Sequence, residues 1–263
     1  MQQVSNTLGK ISLNWLALLG TLAVNALANI LPINGYNTGQ ISAFYPNRFV
    51  PAGFTFGIWS LIYLLLIGFV VMSSWLYWRR RGQAADRLAG LLSPYFVGTC
   101  ILNAGWILVW HHLQTALSVL IMLAFLILLI RIYLMLQPHR RTLTPGERAG
   151  LYLPFVVYLG WISVATIANI TAWLVGLDWN AWGIDPSWWS IALVVVAAIL
   201  GLIFLLRQKD AAYTLVIAWA LYGIYKGQLS NYPEVGQVAM VASSALVIGV
   251  ILLSMLRLTG KKI

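Results

Sequence analysis

Charge is what this sequence has least of. Only 8% of its 263 residues are Asp, Glu, Lys or Arg, where soluble globular domains carry about 25%. A soluble chain cannot cover its surface with so few charges, which excludes a soluble enzyme, and the apolar excess excludes a disordered chain. Cys100 is the sole cysteine, so a disulfide-stapled secreted domain is excluded as well. No Asp or Glu stands in the middle of an apolar run. A carboxylate proton relay or a carboxylate cation site therefore has nothing to be built from. H-E-x-x-H, a phosphate-cradling glycine loop and G-x-S-x-G are all missing. No catalytic residue, metal ligand set or required cofactor is expected, and the chain reads as non-enzymatic. An internal repeat is absent too, which leaves the inverted-repeat architecture of many transporters unsupported.

What is present is hydrophobic length. Apolar residues make up 61% of the chain, and a bilayer-spanning helix needs about 20 of them in a row. The runs predict eight spans, at 11–32, 52–76, 91–111, 114–136, 149–175, 187–206, 211–227 and 234–257. An outer-membrane barrel would show weaker, alternating runs of about 10 residues. The fold class is all-α: a polytopic helical membrane protein in contact with the lipid bilayer.

The net charge of +10 suggests nucleic acid until the cations are placed on this map. Lys10, Arg79, Arg80, Arg81, Arg87, Arg140, Arg141, Arg148, Arg207, Lys209, Arg257, Lys261 and Lys262 all fall on one side. Arg48 and Lys226 fall on the other, and Arg131 can snorkel from the inner end of span four. The positive-inside rule then makes the basic loops and both termini cytoplasmic. Basicity is a topology signal, and a nucleic-acid partner is not expected. Lys10 followed by an apolar stretch and Ala26-Leu27-Ala28 has the outline of a cleavable signal peptide. The stretch is too long and holds Asn14 and Asn25, so span one is expected to stay.

Two outer loops are long. Residues 33–51 are polar and punctuated by Gly and Pro, with the length of a lid. Residues 176–189 carry Trp179, Trp182, Trp188 and Trp189, which read as an aromatic belt at the headgroup level. Within the spans, polar residues are costly unless they meet a partner or a cavity. Asn25 and Asn29 share a face of span one, and Asn103 precedes Trp106 and Trp110 in span three. Trp59 and Tyr63 form an i, i+4 pair in span two, and Tyr158, Trp161, Ala165 and Asn169 share a face of span five. Singly, such residues read as interhelical glue. Together they suit a pocket for a flat apolar ligand with a few polar handles, with the Arg48 region available to ligand carboxylates. His111 and His112 end span three as an interfacial pair, although one imidazole suffices as an axial ligand to a tetrapyrrole metal.

Three segments carry a family resemblance. Pro51-Ala-Gly-Phe54-Thr-Phe56-Gly-Ile-Trp59-Ser-Leu-Ile-Tyr63 resembles the Pro-x-x-x-Phe-x-x-x-Trp-x-x-x-Tyr pattern of the TspO/translocator-protein family, the tryptophan-rich sensory proteins. Its phenylalanine is displaced by one residue, to Phe54 or Phe56. Leu102-Asn103-Ala-Gly-Trp106 matches Leu-Asn-x-x-Trp, and Trp161-Ile-Ser-Val-Ala165-Thr-Ile-Ala-Asn169 matches Trp-x-x-x-Ala-x-x-x-Asn, with Pro154 upstream. In the first loop the family's Lys-Pro-x-Trp-x-Pro-Pro is altered: Tyr45 stands for the Lys, Arg48 for the Trp and Val50 for the first Pro. A porphyrin-modifying activity tied to that tryptophan is not implied.

The resemblance covers residues 11–175 and implies a five-helix TspO-like bundle there, with residues 176–263 as an aromatic loop and three further spans. It implies a pocket lined or braced by Pro51, Phe54, Trp59, Tyr63, Asn103, Trp106, Trp161, Ala165 and Asn169. A tetrapyrrole such as porphyrin or haem, or a similar small apolar ligand, is the implied occupant. The setting is a bacterial inner membrane and the role is ligand binding or sensing. The family's homodimer is implied unless the added spans cover its face. Two other functions stay open at this point: an accessory subunit of a larger photosynthetic or respiratory membrane complex, and a transporter of an apolar metabolite.

Overall fold

The computed structural model describes residues 2–31, 33–79 and 82–259, with side chains from residue 8 onward. Arg80, Arg81, Lys261 and Lys262, counted above among the inward charges, lie outside the described residues. The described residues are mostly helical, and no strand occurs among them. In chain order the helices are α1 (Gln2–Asn29), the short α2 (Thr38–Ser42), α3 (Ile58–Arg79), α4 (Ala84–His111) and α5 (Thr115–Leu136). They continue as α6 (Pro145–Glu147), α7 (Leu153–Gly176), α8 (Pro186–Leu206), α9 (Ala211–Gln228) and α10 (Pro233–Leu258). Among the described residues seven helices are long and apolar enough to cross a membrane. The protein is an all-α, multi-pass membrane protein.

The predicted eight spans thus become eight long helices of which seven meet the length and hydropathy of a membrane span. The difference is α9. Its last turns carry Tyr222, Tyr225, Lys226 and Gln228, which dilute the apolar run. At 18 residues and 1.5 Å per residue it still extends about 27 Å, and it packs against both α8 and α10.

Local chemistry sets the helix ends. Thr144-Pro-Gly-Glu147 is a capping box: the Thr144 hydroxyl accepts from the Glu147 N–H at 3.3 Å, and Glu147 accepts from the Thr144 N–H at 2.9 Å. Helix therefore starts at Pro145, earlier than the apolar run suggested, and passes through a π turn at Arg148–Tyr152 into α7. Asp185 caps α8, accepting from the Ser187 N–H at 2.7 Å, with Pro186 following it in the first turn. The helix α4 begins seven residues before its predicted start, so Arg87 belongs to a helix and not to a loop.

By contact the chain divides into two compact units. Unit 1 comprises residues 1–41 and 58–159, and unit 2 comprises 42–57 and 160–263. The boundary falls inside α7, between Leu159 and Gly160.

In unit 1, α1 packs on α4 through polar contacts spaced along its length. Lys10 Nζ donates to the Gly90 carbonyl at 3.1 Å, Ser93 Oγ donates to Asn14 Oδ1 at 2.8 Å, and Thr21 Oγ1 donates to the Cys100 carbonyl at 3.2 Å. Phe69, Phe96 and Phe155, all fully buried, meet at centroid distances of 4.8–6.4 Å and form the apolar centre. In unit 2, α8, α9 and α10 pack on one another, and Thr214 and Ser243 hydrogen-bond to the Gly201 and Ala218 carbonyls. Leu16, Leu120, Ile127 and Val241 are each more than 60% exposed. On a soluble protein such a surface would aggregate; on this one it faces lipid.

Candidate functional site

In unit 1 the resemblance residues Trp59, Tyr63, Asn103 and Trp106 come together. Asn103 is fully buried on α4 and stands in a directed chain of hydrogen bonds. Asn25 Nδ2 donates to Tyr63 Oη at 2.8 Å, Tyr63 Oη donates to Asn103 Oδ1 at 3.2 Å, and Asn103 Nδ2 donates to Tyr158 Oη at 2.5 Å. Four helices, α1, α3, α4 and α7, each supply one member. Alongside runs an aromatic ladder. Trp59 stacks on Tyr63 at 5.7 Å and on Trp106 at 5.9 Å, and Trp106 stacks on Trp110 at 5.9 Å, with interplanar angles of 18–26°. The Tyr158 ring meets Trp59 edge-on.

Spacing explains the ladder. Positions 59 and 63 on α3, and 106 and 110 on α4, are i, i+4 pairs, so each pair lines one face of its helix. One member of the ladder is incomplete: Trp106 Nε1 is buried and has no hydrogen-bond partner among the described residues. A buried indole N–H ordinarily finds an acceptor.

In unit 2 the remaining resemblance residues are spread more widely. Trp161 and Asn169 are buried on α7, with Ala165 between them on the same face. The phenylalanine that meets Trp161 is Phe56, edge-on at 6.1 Å. Phe54 is half-exposed and lies against Trp219 and Tyr222 of α9. Pro51 sits in a segment, 50–55, held against α9. The Ala52 N–H donates to the Gly223 carbonyl at 2.9 Å, Gln228 Nε2 to the Val50 carbonyl at 2.6 Å, and Trp219 Nε1 to the Thr55 carbonyl at 3.1 Å.

The expected lid is therefore fastened. Its first half is tied in unit 1, where Asn34 Nδ2 donates to the His111 carbonyl and Trp110 Nε1 to the Thr38 carbonyl. Its far end is tied to α9 at Val50 by Gln228, and Ala52 and Thr55 just beyond it make the other two bonds above. The side chain of His111 is fully buried, with Nε2 3.1 Å from Thr38 Oγ1 and Nδ1 3.1 Å from the Ile33 carbonyl. Both ring nitrogens are engaged in protein contacts, so this imidazole does not suit an axial metal ligand. No cluster of metal-ligating side chains occurs among the described residues.

Arg48 also differs from its expected part. Its Nη1 donates to Asp185 and to Ser187 Oγ, Ser187 Oγ donates to Glu234, and the guanidinium lies over the Tyr232 ring at 4.3 Å. One cation stands with two carboxylates, which leaves this corner net negative and unsuited to collect a bare carboxylate ligand.

The Ser187 N–H, and then the charge of Arg48, hold the Asp185 carboxyl below its ordinary value of 3.8. A carboxyl depressed in the folded state supports the fold above that ordinary value and ceases to as pH falls through the depressed one. Acidification below about pH 3.8 is expected to loosen the 176–189 loop, read by tryptophan emission, and Asp185→Asn to flatten that response. An unaltered pH profile in the variant would remove Asp185 from the account.

Sequence reasoning passed over five of these residues. Tyr158 was placed on the right face of span five but not in the set. The partnership of Asp185 and Glu234 with Arg48 was not foreseen, because no periodicity links residues 137 apart. Gly223 and Gly227, the seat for residues 50–55, form a G-x-x-x-G pair whose spacing is visible in the sequence.

No curated protein and no solved structure matches the chain. The TSPO-like protein family does match, over residues 11–253. The match runs past residue 175, where the motif resemblance ended, and takes in α8, α9 and most of α10. Over that length, which is most of the chain, the chain belongs to the TSPO-like protein family, a family of membrane ligand-binding and sensory proteins.

Proposed function

We propose that this protein binds a tetrapyrrole, or a flat apolar molecule of similar size, in the unit 1 site and acts as a non-enzymatic sensor or carrier of that ligand. The supporting observation is the buried Trp106 N–H without an acceptor, set in a ladder of near-parallel rings. A macrocycle continues such a stack, and a pyrrole-side carboxylate or carbonyl supplies the missing acceptor. Asn103 acts differently: its amide is engaged by Tyr63 and Tyr158, so it braces the site. The proposal places the chain in a bacterial inner membrane with both termini cytoplasmic, on the distribution of its cations.

Protoporphyrin and haem titrated into the detergent-solubilised chain, followed by quenching of tryptophan emission, test this reading. Trp106→Phe keeps an aromatic ring and removes the N–H, so it should weaken binding about 5- to 30-fold, the value of one buried hydrogen bond. Saturable quenching with the same affinity in the variant would dismiss Trp106 as the anchor. No saturable quenching in the parent chain would dismiss the tetrapyrrole and favour a structural role in a larger complex.

A further inference from the structure

Unit 2 holds a second site, remote in chemistry from the ladder. A cavity of about 460 Å³, within the range of ligand pockets, opens between α7 and α8. Its walls are aliphatic, from Ile167, Ile170, Leu174 and Leu193. Its rim is aromatic and polar: Trp179, Trp182 and Trp189 lie there with Asn47 and Arg48. The three indoles meet pairwise at 5.4–5.5 Å, and Trp189 Nε1 donates to the Ala181 carbonyl at 3.0 Å. That bond helps hold a costly backbone, since Ala181 and Trp182 both have φ near +55°.

Apolar walls below a tryptophan rim, where α7 ends and α8 begins, describe a slot for an amphiphile standing at the membrane interface. The charges at the rim say which one. Arg48 is bonded through Nη1 alone, and its Nε and Nη2 donate to nothing among the described residues. Asp185, bonded to the same guanidinium, keeps 56% of its side chain exposed. A cation with free donors thus stands next to an exposed carboxylate, and Glu234 adds a second negative charge through Ser187. A headgroup bearing only negative charge meets a net negative corner. A zwitterion matches both signs.

We propose that this cavity holds one acyl chain of a phosphatidylethanolamine-type phospholipid, its phosphate on Nε and Nη2 of Arg48 and its ammonium on Asp185. Trp179, Trp182 and Trp189 cover the glycerol region, and the aliphatic walls take the upper part of the chain. The lipid closes the gap between α7 and α8 as a structural ligand of unit 2.

Native mass spectrometry of the full detergent-purified chain tests the assignment. The probes are phosphatidylethanolamine, phosphatidylglycerol of the same acyl chains, and soluble phosphoethanolamine. One phosphatidylethanolamine should be retained per chain, about 10-fold more strongly than phosphatidylglycerol, and phosphoethanolamine should not be retained, because the apolar walls contribute most of the binding. Arg48→Gln should lower retention of both lipids about 10-fold or more. Asp185→Asn, which keeps a residue able to cap α8, should erase the preference between the two lipids. Thr171→Trp, filling the slot from α7, should lower retention of both. Thermal unfolding of each variant separates loss of the site from loss of the fold. Retention unaltered in Arg48→Gln and Thr171→Trp overturns the proposal. A preference for phosphatidylglycerol overturns the headgroup assignment, and retention of free phosphoethanolamine overturns the lipid in favour of a soluble phosphate.

Discussion

Alanine at Gly227 should unseat the segment that carries Pro51 from α9 and lower the unfolding midpoint of the chain, in heat or in SDS. A Cβ at this position would stand 2.8 Å from the Ala52 nitrogen and 2.9 Å from the Val50 carbonyl oxygen. Both are backbone atoms, which cannot rotate away. One turn earlier, a Cβ on Gly223 would meet Thr55 Oγ1 at 2.1 Å and Thr55 Cγ2 at 2.6 Å. Thr55 is fully buried and β-branched, with little rotamer freedom to retreat. Overpacking of this kind costs about 1–3 kcal/mol and sometimes more. Here it also threatens the three hydrogen bonds between 50–55 and α9, each contributing about 0.5–1.5 kcal/mol. Gly68→Ala in α3, where a Cβ meets nothing within 4 Å, is the reference, and it should be neutral or slightly stabilising. Equal midpoints for Gly227→Ala and Gly68→Ala would show that the close approach does not hold the segment.

The two glycines mark where sequence reading stops. Their spacing is legible and announces a close approach of backbone to backbone. It does not say what approaches, and here the visitor is the irregular segment 50–55 far upstream, not a second helix. The same limit recurs elsewhere. Helical periodicity placed Trp59 with Tyr63, and Trp106 with Trp110, on common faces, and the ladder bears this out. It gave no reason for Asn103 to choose Tyr63 and Tyr158, because the period of a helix fixes a face and not the neighbour across it. The displaced phenylalanine illustrates the point in one residue. Phe54 and Phe56 fit the motif equally badly, and only the turn at Gly53–Gly57 sends the first to Trp219 and the second to Trp161. Hydropathy found every long helix. The eighth, α9, falls short of the hydropathy of the other seven because its last turns carry Tyr222, Tyr225, Lys226 and Gln228.

Asn103 supplies the second large effect. Asn103→Leu keeps the number and branching of the side-chain heavy atoms and removes both an acceptor and a donor from a fully buried position. Tyr63 keeps the bond it accepts from Asn25 but loses the acceptor for its own proton, and Tyr158 loses the donor to its oxygen. Each stranded hydroxyl costs about 1–3 kcal/mol in a buried site, so the single substitution, which strands two, should cost about 2–6 kcal/mol. Phenylalanine at 158 removes one of the stranded groups. The Asn103→Leu, Tyr158→Phe pair should therefore be less destabilised than the sum of its singles, with a coupling of about 0.6–2 kcal/mol, the range for hydrogen bonds between helices in bilayers. A cycle of four proteins unfolded in SDS measures it. Strict additivity would mean that Asn103 and Tyr158 do not bond, and the chain across four helices would end at Asn103. The same cycle bears on ligand binding, because the two roles separate. If Asn103 braces the site, the double variant should recover porphyrin affinity along with stability, since the ladder of Trp59, Trp106 and Trp110 is restored to its frame. If Asn103 contacts the ligand directly, stability should recover while affinity stays low. The geometry, with both ends of the Asn103 amide occupied inside the protein, selects the first outcome.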